Sequence, residues 1–223
     1  VFKELGRRFE KSHDQVKVRF NFAGSQQLLA QLDHGAPADV FAPASPAEMK
    51  LATEKGLIDT ESHDTFAYNR LVLISPEAAP VKSLKQLAEG NGKLVVAHTS
   101  VPAGRYTRSF FQSIKSDPEL GADLVSKIEA RIVSEEENVR SVLAKVRLGE
   151  ADAGFVYQTD ANTGGIFTLP LPGKHSPLAS YPIAMIKTAK APALAREFIA
   201  YVLSKDGQQV LHDHGFMITN EVR

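Results

Sequence analysis

Phe22-Ala-Gly-Ser25, Val101-Pro-Ala-Gly104 and Asn138-Val139-Arg140 each read as the start of a helix, and Tyr157 closes the short apolar run that begins at Ala153. The amino end of a helix presents N–H groups with no internal partner and carries roughly half a positive charge from the aligned peptide dipoles. In the first stretch Gly24 permits a close backbone approach, while Ser25 offers a hydroxyl and its N–H. In the second, Pro102 takes the first-turn position that proline favours and leaves Ala103 to donate through its backbone. In the third, Val139 follows Asn138, a good N-cap, and Tyr157 adds a hydroxyl from the adjacent strand. Together these groups suit a small tetrahedral anion held by neutral donors.

Each feature also has a plainer reading. Ser25 on its own is a helix cap, and Tyr157 on its own is a buried ring whose hydroxyl meets a backbone carbonyl. Ser134-Glu-Glu-Glu137 has capping-box spacing, which would start the third helix at Ser134 and close the Val139 N–H inside it. The acidic run Glu135 to Glu137 is expected to be solvated. His98 reads as a satisfied, half-buried imidazole, His212 and His214 as exposed, and Asp152 and Asp160 as a turn residue and a helix cap. There is no Gly-x-Ser-x-Gly elbow, no Gly-rich phosphate loop and no convincing Ser, His and acid constellation, so catalysis is not the favoured reading.

Composition sets wider bounds. The chain has 223 residues with 26 basic and 26 acidic side chains, which gives no electrostatic reason to expect nucleic acid or an anionic membrane as partner. Any anion is therefore bound locally. The absence of cysteine removes disulfides, thiolate catalysis and cysteine zinc sites. No run approaches the roughly 18 apolar residues that span a bilayer.

Helix-like and strand-like segments alternate, the pattern of a doubly wound α/β protein. Helices are expected over Val1 to Lys11, Gln26 to Asp33, Pro46 to Lys55 and from Val139 onward, with one long helix from Pro192 to Gly207. Strands are expected at Val16 to Phe22, Asp39 to Ala42, Arg70 to Ser75, Leu94 to Ala97, Arg131 to Val133, Ala153 to Tyr157 and Tyr181 to Lys187.

Ala36-Pro-Ala-Asp-Val-Phe41, Val101-Pro-Ala-Gly-Arg-Tyr106 and the unit from Glu137 to Tyr157 make the chain resemble the periplasmic molybdate-binding proteins of ABC uptake systems over nearly its whole length. The resemblance implies the two-lobed α/β fold of family two periplasmic binding proteins, with a hinged cleft. It implies a first lobe of residues 1–75 and 181–223, a second lobe of 76–180, and hinges near Leu71 to Ser75 and Pro182 to Met185. The ligand would be molybdate or tungstate, taken as an oxyanion with no cofactor and no direct protein–metal bond, and the partner a membrane ABC permease. Ser25, Ala103, Val139 and Tyr157 match the family's oxyanion ligands, and Val139 serves only if its helix starts at Asn138. A catalytic or regulatory relative on the same fold, binding another small anion, is the alternative. The family's first strand and first serine are not in this sequence, so the chain is read either as a truncated form of a longer protein, the favoured reading, or as a naturally shortened one whose gap is filled by domain exchange or rearranged strands. Its incomplete sheet is expected to favour self-association and to leave helix Val1 to Lys11 without its anchor. The expected compartment is periplasmic or extracytoplasmic.

Overall fold

A computed structural model describes residues 1–162 and 164–218. In chain order its elements are α1 (Phe2–Ser12), α2 (Ser25–Asp33), β1 (Val40–Phe41), α3 (Pro46–Glu54), β2 (Asp64–Pro76), α4 (Leu84–Glu89), β3 (Leu94–Ala97), α5 (Pro102–Lys115), α6 (Gly121–Glu129), β4 (Ile132–Glu136), α7 (Val139–Arg147), β5 (Ala153–Tyr157), β6 (Ile166–Pro170), β7 (Leu178–Met185), α8 (Pro192–Leu203) and α9 (Lys205–Asp213). The chain divides into two compact units, one of residues 1–69 with 180–223 and one of residues 70–179.

The second unit is built on the order β6-β2-β5-β3-β4. β2 lies antiparallel between β6 and β5, whereas β3 runs parallel to both β5 and β4. Parallel neighbours need a crossover, and α5 with α6 and then α7 supply two of them. All four residues of β3 and all five of β5 are buried, as expected of strands covered on both faces. Phe110, Phe111 and Ile114 of α5, Val125 and Ile128 of α6, and Val142 and Val146 of α7 close over them. Phe111 meets Phe155 edge to face at 5.5 Å.

In the first unit β1 pairs antiparallel with β7 through Val40 to Met185 and Phe41 to Ala184. Leu29, Phe41, Met49, Ala52, Ile58, Ala184 and Ile186 form one buried cluster beneath α2 and α3. The alternation at Val16 to Phe22 survives as burial, with Val16, Val18 and Phe20 half-buried and Lys17, Arg19 and Asn21 exposed. Yet the segment forms no ladder with any strand among the described residues, so it is not the strand that its pattern predicts. A period of two reports which side chains face the interior; a strand also needs a backbone partner. Here the Val18 N–H donates to Glu10 Oε1 at 2.8 Å instead.

Two expectations for the helices change. The predicted helix from Pro192 to Gly207 breaks at Ser204, whose extended backbone ends α8 and whose Oγ accepts the Gly207 N–H at 3.3 Å to cap α9. A Cβ at Gly207 would lie 2.2 Å from the Tyr201 carbonyl oxygen, so the tight junction depends on a residue without a side chain. Helix α1, expected to lack an anchor, is docked. Leu5 and Phe9 are buried, the Phe9 ring meets Phe198 of α8 edge to face at 5.3 Å, and it stacks on His13 at 3.9 Å. His13 bonds Glu197 at 3.0 Å and His214 bonds Glu4 at 2.8 Å, tying both ends of α1 to the carboxyl-terminal helices.

Phe9 therefore carries the docking of α1. Phe9→Ala should lower unfolding free energy by about 3–5 kcal/mol, the usual cost of truncating a buried phenylalanine. Urea denaturation measures this, and a loss below about 1 kcal/mol would show that α1 is held by its ion pairs alone.

Candidate oxyanion site

Three of the four residues singled out by sequence stand at one edge of the second unit's sheet. β4, β3 and β5 are adjacent and parallel, so their carboxyl ends share an edge. β3 ends at Ala97 and α5 starts at Pro102; β4 ends at Glu136 and α7 starts at Val139; β5 ends at Tyr157. Topology thus brings Ala103, Val139 and Tyr157 to the edge where open α/β sheets bind ligands. Ser25 belongs to the first unit.

The third helix starts where the oxyanion reading requires. Asn138 is the N-cap, and its Oδ1 accepts the Ser141 N–H at 3.0 Å. The cap thereby uses the third N–H of the turn and leaves that of Val139 outside the helical ladder. Ser134 lies inside β4, which overturns its capping-box reading; its Oγ accepts from Lys145 Nζ at 2.9 Å and donates to Glu136. The acidic run is neutralised as well as solvated: Glu135 pairs with Arg108 at 2.5 Å and Glu136 with Lys145 at 2.5 Å.

In α5, Val101 is the N-cap and Pro102 the first helical residue, so the Ala103 N–H precedes the first intrahelical bond, Arg105 N–H to Val101 C=O at 3.1 Å. A Cβ on Gly104 would fall 2.0 Å from the His98 carbonyl oxygen and 2.4 Å from that of Ala97. Only glycine lets this first turn press onto the end of β3 and set the position of Ala103. Tyr157 is buried, with the Tyr106 ring of α5 edge-on at 6.3 Å.

Ser25 departs from its plain reading. Gly24, not Ser25, is the N-cap of α2, and the buried Ser25 Oγ accepts the Ala44 N–H at 2.9 Å. That bond occupies one lone pair and leaves the hydroxyl proton to donate elsewhere. His98 is exposed instead of half-buried, its Nδ1 engaged by Ser100. His212 and His214 are exposed as expected.

Sequence reasoning missed two features. The first is a Ser, His and acid chain: Ser113 Oγ lies 2.8 Å from His175 Nδ1, and His175 Nε2 lies 2.8 Å from Asp117 Oδ2. The residues are 62 and 58 positions apart, so no local motif announces them. Asp117 also takes Lys174 Nζ at 2.5 Å and the N–H groups of Glu119 and Leu120, which hold its carboxyl well below the usual carboxylate range. Ser113 sits in the carboxyl-terminal turn of α5, where the helix presents carbonyls; that is the wrong polarity for a developing oxyanion. The network ties the segment around Lys174 and His175 to α5. The second is Asp160, expected to cap a helix. It sits instead in the turn after β5, with its N–H on the Tyr157 carbonyl at 2.9 Å. Burial pushes its carboxyl up to about 6, against partial opposition from the Tyr157 backbone and Arg140. Asp152 is the turn residue expected, its Oδ2 accepting the Lys93 N–H at 2.7 Å.

Comparison with known proteins matches this architecture. Residues 1–217 fit the family described as bacterial extracellular solute-binding protein. The molybdate-binding protein ModA of Mycobacterium tuberculosis is 36% identical over 221 residues, covering 97% of this chain and 79% of that protein. ModA of Haemophilus influenzae is 31% identical over 230 residues, covering 97% and 85%. Among solved structures, the periplasmic molybdate-binding protein of Azotobacter vinelandii superposes with a TM-score of 0.82 at 20% identity, over 97% of this chain and 94% of that one. The sulfate-binding protein SubI of Mycobacterium tuberculosis gives 0.87 at 12% identity, over 98% and 83%; at such identities these two report the fold. With its sheet edge, its helix starts and this breadth of match, the chain belongs to the bacterial extracellular solute-binding protein family.

Proposed function

We propose that this protein captures molybdate, and equally tungstate, as an oxyanion outside the cytoplasm and delivers it to a membrane ABC permease, with no chemical step and no cofactor. The observation that carries the reading is the shared carboxyl edge of β3, β4 and β5, where α5 and α7 begin and Tyr157 stands. The relatives named for molybdate support the choice of anion. The Ala103 and Val139 N–H groups and the Tyr157 hydroxyl are the proposed ligands from the second unit. Ser25, whose proton remains available for donation, is the proposed ligand from the first. We assign residues 1–75 with 181–223 to one lobe and 76–180 to the other. Because Val16 to Phe22 finds no strand partner among the described residues, we also assign it a role in self-association, which light scattering across a concentration series reads as mass above the 24.3 kDa chain.

A site of neutral donors makes a specific electrostatic prediction. Molybdate affinity measured by calorimetry should change less than about threefold when ionic strength rises tenfold, since no Lys or Arg pairs with the anion. A steep fall, or no heat with either molybdate or tungstate, would refute the reading. Ser25→Ala and Tyr157→Phe should each weaken binding about tenfold to a hundredfold, the loss of a charge-assisted bond worth roughly 1.5–3 kcal/mol. Gly104→Ala should weaken it further than either, because the added methyl forces the α5 amino terminus away from the sheet edge. Binding unchanged in all three would remove these positions from the site.

A further inference from the structure

Asp160 is a half-buried titratable group with one carboxyl oxygen closed to solvent, and it is not among the proposed ligands. Its backbone is fixed by the bond from its N–H to the Tyr157 carbonyl, so its side chain hangs one turn beyond the proposed tyrosine ligand. Its Oδ2 is closed to solvent and accepts no hydrogen bond among the described residues. The charged group acting on it is Arg140, the residue after Val139 in the first turn of α7; from β5 the Tyr157 backbone acts on it too. From α5, Tyr106 rests its ring against Tyr157. A carboxylate oxygen closed from water and without a donor of its own makes ionisation costly, a cost that the Tyr157 backbone hydrogen bond offsets only in part.

We infer that Asp160 couples oxyanion capture to the uptake of one proton, an inference that rests on the oxyanion reading above. A dianion seated against the Val139 N–H and the Tyr157 hydroxyl repels an ionised carboxylate in the turn that follows Tyr157, and a neutral carboxyl there removes that repulsion. The proton comes from solvent onto the Asp160 carboxyl as the anion enters, and returns to solvent when it leaves; Arg140 keeps its charge throughout. Burial already raises the carboxyl of the free protein to about 6, within reach of neutral solution. The bound dianion raises it again, so affinity is highest below the free-protein value and falls as pH rises through the window between the free and bound values, by up to tenfold per unit of separation. Release is thereby favoured in the more alkaline medium.

Calorimetry with molybdate on the full chain tests this from about pH 6 to about pH 8, where dilute molybdate stays a dianion, in two buffers of different ionisation enthalpy at each pH. The wild-type protein should lose about tenfold in affinity across the range and take up a measurable fraction of one proton per anion near neutrality. Asp160→Asn should bind with flat pH dependence and no proton uptake, and should bind more tightly than wild type at the alkaline end. Arg140→Gln serves if Asp160→Asn fails to fold: without the guanidinium the carboxyl titrates higher, so the midpoint of the affinity curve should move to higher pH. Wild-type binding without proton uptake, an Asp160→Asn profile that follows the wild type, or an Arg140→Gln midpoint that stays in place overturns the inference alone. Absence of heat with every chain at every pH overturns the oxyanion reading and this inference with it.

Discussion

Parallel strands must be joined by crossovers, and a helix that carries the chain back across the sheet begins at the strand's carboxyl end. Its first N–H groups have no carbonyl a turn below them, so every such junction leaves donors at the same edge. In the second unit β3 and β4 meet this constraint side by side, and α5 and α7 follow from it. The donors are a by-product of folding; what the local sequence adds is their disposition. Pro102 removes one donor, Asn138 occupies another, and Gly104 lets a third come close to the sheet.

The same edge holds ion pairs that neutralise part of the charge near the helix starts. Arg108 is held by Glu135, and Lys145 by Glu136 and Ser134. An acidic run beside an anion site would be unfavourable if bare, and unattached cations there would bind anions of any shape. Mutual pairing of Arg108 and Lys145 with the acidic run reduces both effects. What remains to discriminate is the direction and spacing of N–H and O–H groups, which favours a ligand by geometry over total charge.

Much of this was legible in the sequence because the signals were local. The helix faces of α1, α2, α3 and α7, the apolar strands β3 and β5, and the stop at Gly149 are written within windows of a few residues. The competition between Ser134 and Asn138 was visible too, and β4 decided it: once Leu94 to Ala97 pairs with residues through Glu136, Ser134 cannot open a helix. What escaped depends on partners far along the chain. Val16 to Phe22 has the alternation of a strand but no ladder, Ser204 breaks a continuous apolar helix pattern through one backbone torsion, and the contact of Ser113 with His175 spans 62 positions. Asp160 was visible as a polar residue near Tyr157, but its closure from solvent was not, because burial is a property of the assembled turn.

Ala103 and Val139 present main-chain N–H groups, and main-chain groups are not inherited through the identity of a side chain. Any residue except proline carries the same N–H, so mutation at either position alters what surrounds the donor while leaving the donor itself in place. The residues that cannot drift freely are those that aim the donors: Gly104, against the His98 carbonyl, and Asn138, whose amide oxygen ends the turn. On the proposed site, a lineage could therefore replace the names at 103 and 139 many times over without disturbing recognition, yet lose it through a single methyl group at 104. Divergence in this protein is best followed through the positions that set backbone direction.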